Sequence, residues 1–76
     1  MNNENEKRIL KIFGQNVKKY REEKGVTLQE LSERTGIRKQ YIIKIMNGES
    51  PGITTKHLFL LAEALGISSC ELVTGI

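Results

Sequence analysis

The stretches VTLQEL (Val26 to Leu31) and ISSCEL (Ile67 to Leu72) carry one signal twice. In each, a hydroxyl residue, Thr27 or Ser68, stands three places before a glutamate, Glu30 or Glu71. Apolar residues flank them, Val26 and Leu31 in the first case and Ile67 and Leu72 in the second. This is a capping box with a hydrophobic staple: the hydroxyl and carboxylate satisfy backbone N–H groups that a helix start leaves unpaired, and the apolar pair fixes the angle at which the chain enters. Helix stops alternate with these starts at Gly25, Gly36, Asn47-Gly48 and Gly66. No segment alternates like a strand or carries a hairpin turn, so the expectation is an all-α chain of five short helices.

The first helix is marked by Ile9, Ile12 or Phe13, Val17 and Tyr20, with Lys11, Lys18, Lys19 and Glu22 between them, and is expected to run to about Lys24. Residues 1–6 read as a frayed polar start and 7–76 as one domain. The capping box at Thr27 opens a second helix, which ends at Gly36, and a third follows to Asn47-Gly48. ESPGI reads as a turn at Pro51 and Gly52. Thr54 or Thr55 then caps a fourth helix through Leu65, burying Leu58, Leu61, Ala62 and Leu65. Ser68 opens a short fifth.

With 76 residues the chain is too small for an enclosed catalytic cleft, and its net charge of +3 suits a polyanionic partner without requiring one. One cysteine, Cys70, closes no intrachain disulfide, and one histidine, His57, builds no metal cage. His57 is expected on an exposed or half-exposed helix side, and Cys70 as a small, partly buried filler. Glu22, Glu23, Glu30 and Glu33 read as a solvated acidic rim, and no phosphate loop or catalytic triad is spaced along the chain. The reading is a non-enzyme without cofactor or metal. No apolar run approaches the roughly 20 residues of a membrane span, and MNNENEKR does not resemble a signal peptide, so a cytoplasmic setting is expected.

From Arg34 to Gly48 the chain reads RTGIRKQYIIKIMNG, with four basic residues and no acidic one. As a helix this stretch puts Ile42, Ile45 and Met46 on one side and Gln40, Ile43, Lys44 and Asn47 on the other. The apolar side holds the helix down. The other presents long hydrogen-bonding side chains, with Arg38 and Lys39 at a helix start where backbone N–H groups are also free. Such a helix fits a DNA major groove: lysine donates to guanine O6 or N7, and a glutamine amide pairs both ways with adenine.

Leu31, the small Ser32, Gly36, Ile42 and Ile45 resemble the helix-turn-helix pattern of phage repressor and Cro proteins, the Xre-type family. FGQNVKKYREEKGVTLQELSERTGI and LFLLAEALGISSCEL are similar to that family's first two and last two helices, so the likeness spans roughly Phe13 to Leu72. It implies a lambda-repressor-like bundle of five short helices, with the helix-turn-helix at about 28–47. It also implies a sequence-specific, repressor-type regulator of transcription on double-stranded DNA. By the resemblance Arg38, Lys39, Gln40 and Lys44 contact bases, and Tyr41 and Asn47 contact phosphates. The chain departs from the family at Leu28, where a DNA-contacting glutamine is common, at Glu49, in a loop often basic, and at Met46, where a glutamate often pairs with the residue matching Arg21. A second reading, a protein-interaction module or antitoxin-type protein on the same fold, draws on Leu28, Ile43 and Glu49. Helix-turn-helix proteins usually pair across a palindrome with half-sites about 34 Å apart. The homodimer surface is expected at Leu60, Val73 and Ile76.

Overall fold

Helix starts are built as their sequences dictate in the computed structural model, which describes residues 3–50 and 53–76. Five helices follow in order: α1 (Asn3–Glu23), α2 (Leu28–Thr35), α3 (Lys39–Met46), α4 (Thr55–Leu65) and α5 (Ser69–Leu72). Among the described residues there is no strand. At α2 the Thr27 hydroxyl accepts from the Glu30 N–H at 3.0 Å, and the Thr27 N–H donates to the Glu30 carboxylate at 2.9 Å. That backbone donor first, and then the Thr27 hydroxyl, hold the Glu30 carboxyl below its ordinary pKa against desolvation, with the Arg34 guanidinium adding least. At α5 the Ser68 N–H donates to Glu71 at 3.2 Å, and the Ser68 hydroxyl accepts from Cys70 N–H at 3.2 Å.

The fourth helix holds a capping box that sequence reading missed. Thr54 is its cap, and His57 stands where glutamate usually does: Nδ1 accepts the Thr54 N–H at 3.3 Å, while the Thr54 hydroxyl accepts the His57 N–H at 3.4 Å. An accepting Nδ1 requires the ring proton on Nε2. The signal was present as a threonine three residues before an imidazole.

Phe13, Val17, Val26, Leu31, Ile37, Ile42, Ile45, Leu61, Ala62, Leu65 and Leu72 meet in one buried core. Helix α1 lies chiefly against α3, α2 against α4, and α4 against α5. The staple residues Val26, Leu31 and Leu72 are buried, and Ile67 is partly so. Asn16 closes the domain from α1: its side-chain amide donates to Leu72 O at 2.8 Å and Thr74 O at 2.9 Å, satisfying carbonyls that the end of α5 leaves open.

Several expectations are corrected. Helix α1 begins at Asn3, within the stretch read as frayed; Glu4 and Glu6 occupy its first turn, where carboxylates favour the positive end of the helix dipole. Residues 1 and 2, and the turn expected at Pro51 and Gly52, lie outside the described residues. Of the apolar residues on α1, Phe13 and Val17 are buried, but Ile9 is 39% exposed, on the wall of an open apolar groove. Cys70 is exposed rather than a filler, since it occupies the outer side of a four-residue helix whose buried residue is Leu72. Leu58 is only partly buried.

Arg21 resolves its missing family partner locally. Its Nη1 donates to Val26 O at 3.2 Å, across the α1–α2 turn, and its Nε is buried without an acceptor. Met46 packs against the core as a half-buried side chain, as expected of an apolar residue in that place.

Candidate nucleic-acid interface

The turn between α2 and α3 is held by side chains as well as by its glycine. Gly36 takes a left-handed φ of 76°, and its N–H returns to Ser32 O at 2.8 Å. The Ser32 hydroxyl donates to Ile37 O at 2.6 Å, and the Thr35 hydroxyl donates to Leu31 O at 2.7 Å while accepting the Ile37 N–H at 3.1 Å. Every one of these groups is short, so the angle between α2 and α3 is set by hydrogen bonds that little can stretch. Ile37 is buried immediately after, pinning the chain before α3 begins.

Helix α3 is anchored by Ile42 and Ile45, both fully buried. Arg38 is its N-cap residue and makes no side-chain cap bond, so the first N–H groups of α3 have no side-chain acceptor. Arg38, Lys39, Gln40, Lys44 and Asn47 are exposed, and Tyr41 is half-buried. Arg38, Gln40, Tyr41 and Lys44 line an open hollow of about 560 Å³. Tyr41 is braced from α4: its ring lies 5.3 Å from that of His57, tilted by 52°, within aromatic contact distance. The same histidine that completes the α4 capping box therefore packs against the Tyr41 ring.

Arg34 does not belong to this surface. It pairs with Glu30 at 3.7 Å, one helical turn back, and donates to Ala64 O at 3.0 Å, helping to close the end of α4. That is the only ion pair among the described residues, so Arg38, Lys39 and Lys44 face solvent as uncompensated cations. Leu28, in the place of a family glutamine, packs against the core instead. Glu49 is exposed just beyond α3.

The residues expected at a dimer surface divide. Val73 and Ile76 are 38% and 47% exposed, and with Ile9, Leu10, Phe13 and Ile53 they line an apolar groove. Leu60 is half-buried and is not part of that groove. It lies one turn before buried Ala64, on the flank of the α4 core face, and the outward residue is its neighbour Phe59, 55% exposed. Among the described residues no helix is long and apolar enough to cross a membrane.

Comparison with known proteins agrees with this geometry. A helix-turn-helix family model matches residues 17–72. The chain is 42% identical over 67 residues to the uncharacterized HTH-type transcriptional regulator y4dJ of Sinorhizobium fredii, covering 87% of this chain and 84% of that protein. It is 33% identical over 57 residues to the HTH-type transcriptional regulator SinR of Bacillus subtilis, covering 75% of this chain and about half of SinR, 51% of its length. Among solved structures, the restriction-modification controller protein C.AhdI from Aeromonas hydrophila superposes with a TM-score of 0.78 at 28% identity, over 83% of this chain and 94% of that one. An all-helical fold, a locked turn and an outward basic helix thus meet in a chain that belongs to the Xre-like helix-turn-helix family.

Proposed function

We propose that this protein is a sequence-specific DNA-binding regulator of transcription, repressor-like in action, that reads the major groove with α3. The observation that carries this reading is the exposed set Arg38, Lys39, Gln40 and Lys44, its three cations without an ion-pair partner among the described residues, on a helix whose opposite face is anchored by the buried Ile42 and Ile45. The relatives are named as transcriptional regulators, and catalysis has no part in the proposed action. Lys39, Gln40 and Lys44 reach base edges, Arg38 sits at the helix start beside free N–H groups, and Tyr41 and Asn47 meet phosphates. Occupying an operator then blocks transcription by exclusion, in the cytoplasm where the DNA is.

Selection from a random duplex pool with the purified protein tests the reading. A single enriched motif is expected, and no enrichment over the starting pool would refute it. On the selected duplex, Gln40→Ala should relax preference at one base pair per half-site by about 1–3 kcal/mol, while Tyr41→Ala should weaken all sequences alike. Competition binding with point-substituted duplexes measures both.

The operator we propose is a palindrome bound by two copies, because one recognition helix covers too few base pairs for useful specificity. Val73 and Ile76, with Ile9 beside them, offer the apolar surface for such pairing. Sedimentation with the selected duplex should give two copies per site, and Val73→Lys should reduce this to one. A single copy on the parent complex at saturation contradicts the pairing.

A further inference from the structure

Ile43 is 42% exposed in the middle of α3, and nothing in the fold accounts for it. Helix α3 already has its buried anchors in Ile42 and Ile45, and Ile43 is absent from the core and from the partly buried residues packed on it. Its neighbours one turn away are Lys39 and Asn47, and Gln40 and Lys44 lie beside it. An aliphatic side chain in such company has no solubility role, since a polar residue would extend the hydrogen-bonding surface. Its size and stiffness suit one feature of the major groove that is apolar: the C5-methyl group of thymine, the mark that separates a T·A pair from a C·G pair on that edge.

We propose that Ile43 is a specificity-determining residue that reads a thymine methyl next to the bases addressed by Gln40 and Lys44. The inference rests on the DNA-binding reading above and adds a residue and a chemical group to it. Burial of Ile43 against the methyl removes apolar surface from water on both partners, which the neighbouring cations cannot do for themselves. Contact with one methyl is worth about a fourfold change in affinity per half-site.

The test uses the intact protein and the selected duplex, with each thymine replaced in turn by uracil, which deletes the methyl and preserves every hydrogen bond. One thymine per half-site is expected to show a loss of about fourfold, and Ile43→Ala should bind the thymine and uracil duplexes equally. Ile43→Val, which keeps branching but shortens the side chain, should retain part of the discrimination, and Gln40→Ala should retain all of it. Insensitivity of the parent to uracil at every position, or an Ile43→Ala variant that still discriminates, overturns the proposal while leaving DNA binding intact. Failure of the parent to select any duplex would instead overturn the function on which the proposal rests.

Discussion

Gly14→Ala is expected to destabilise the fold by about 3 kcal/mol, although alanine in an exposed helix interior is normally about 1 kcal/mol better than glycine. The sign is reversed by contact. A Cβ at Gly14 would lie 2.2 Å from Ile45 O and 2.8 Å from Met46 O, both backbone atoms at the end of α3. Backbone cannot rotate away as a flexible side chain does, so α1 and α3 must separate, and the packing of Phe13 and Val17 on the buried face of α3 loosens with them. Urea unfolding should show a clearly lower midpoint for the variant. A midpoint equal to or above the parent's would mean that the two helices do not approach as closely as described.

Replacing Lys39 and Lys44 together by alanine is expected to reduce affinity for the selected duplex by about thirtyfold or more, from about 1–3 kcal/mol for each lost base contact. Stability should change by less than about 0.5 kcal/mol, because both side chains are exposed and neither is in an ion pair. Thermal unfolding and duplex titration on the same preparation separate the two effects. Unchanged affinity would remove α3 from the interface, and a large loss of stability would give these lysines a role in the fold.

The parts of this molecule that were legible in sequence are those governed by chemistry within one helical turn. Thr27 with Glu30 and Ser68 with Glu71 announce their caps because donor and acceptor are three residues apart. Gly36 announces its turn because a left-handed φ favours glycine. The α3 face was readable for a similar reason: Ile42 and Ile45 define a buried stripe, and everything opposite must face out. Long-range pairing was not readable. Nothing local to Asn16 says that its amide will bind carbonyls 56 and 58 residues away, nor that Gly14 is the crossing point with Ile45 and Met46. Helix α4 was legible only in part. Its pattern placed Leu61, Ala62 and Leu65 in the core, where they are buried, but did not separate the flanks of a largely apolar helix: Leu60 was expected outside and is half-buried, while Phe59 stands outside. His57 escaped because imidazole at the third position of a capping box is a substitute for the usual carboxylate.

Sequence-specific recognition through the basic face of α3 is measured by the affinity of the purified protein for the selected duplex and a scrambled duplex of equal length, each across a range of salt. For both, the logarithm of the binding constant should fall linearly with the logarithm of salt concentration, as phosphate contacts release counterions. The selected duplex should remain about a thousandfold tighter or more at physiological salt. Equal affinity for the two duplexes would rule out sequence reading by α3, and binding that does not respond to salt would rule out its phosphate contacts.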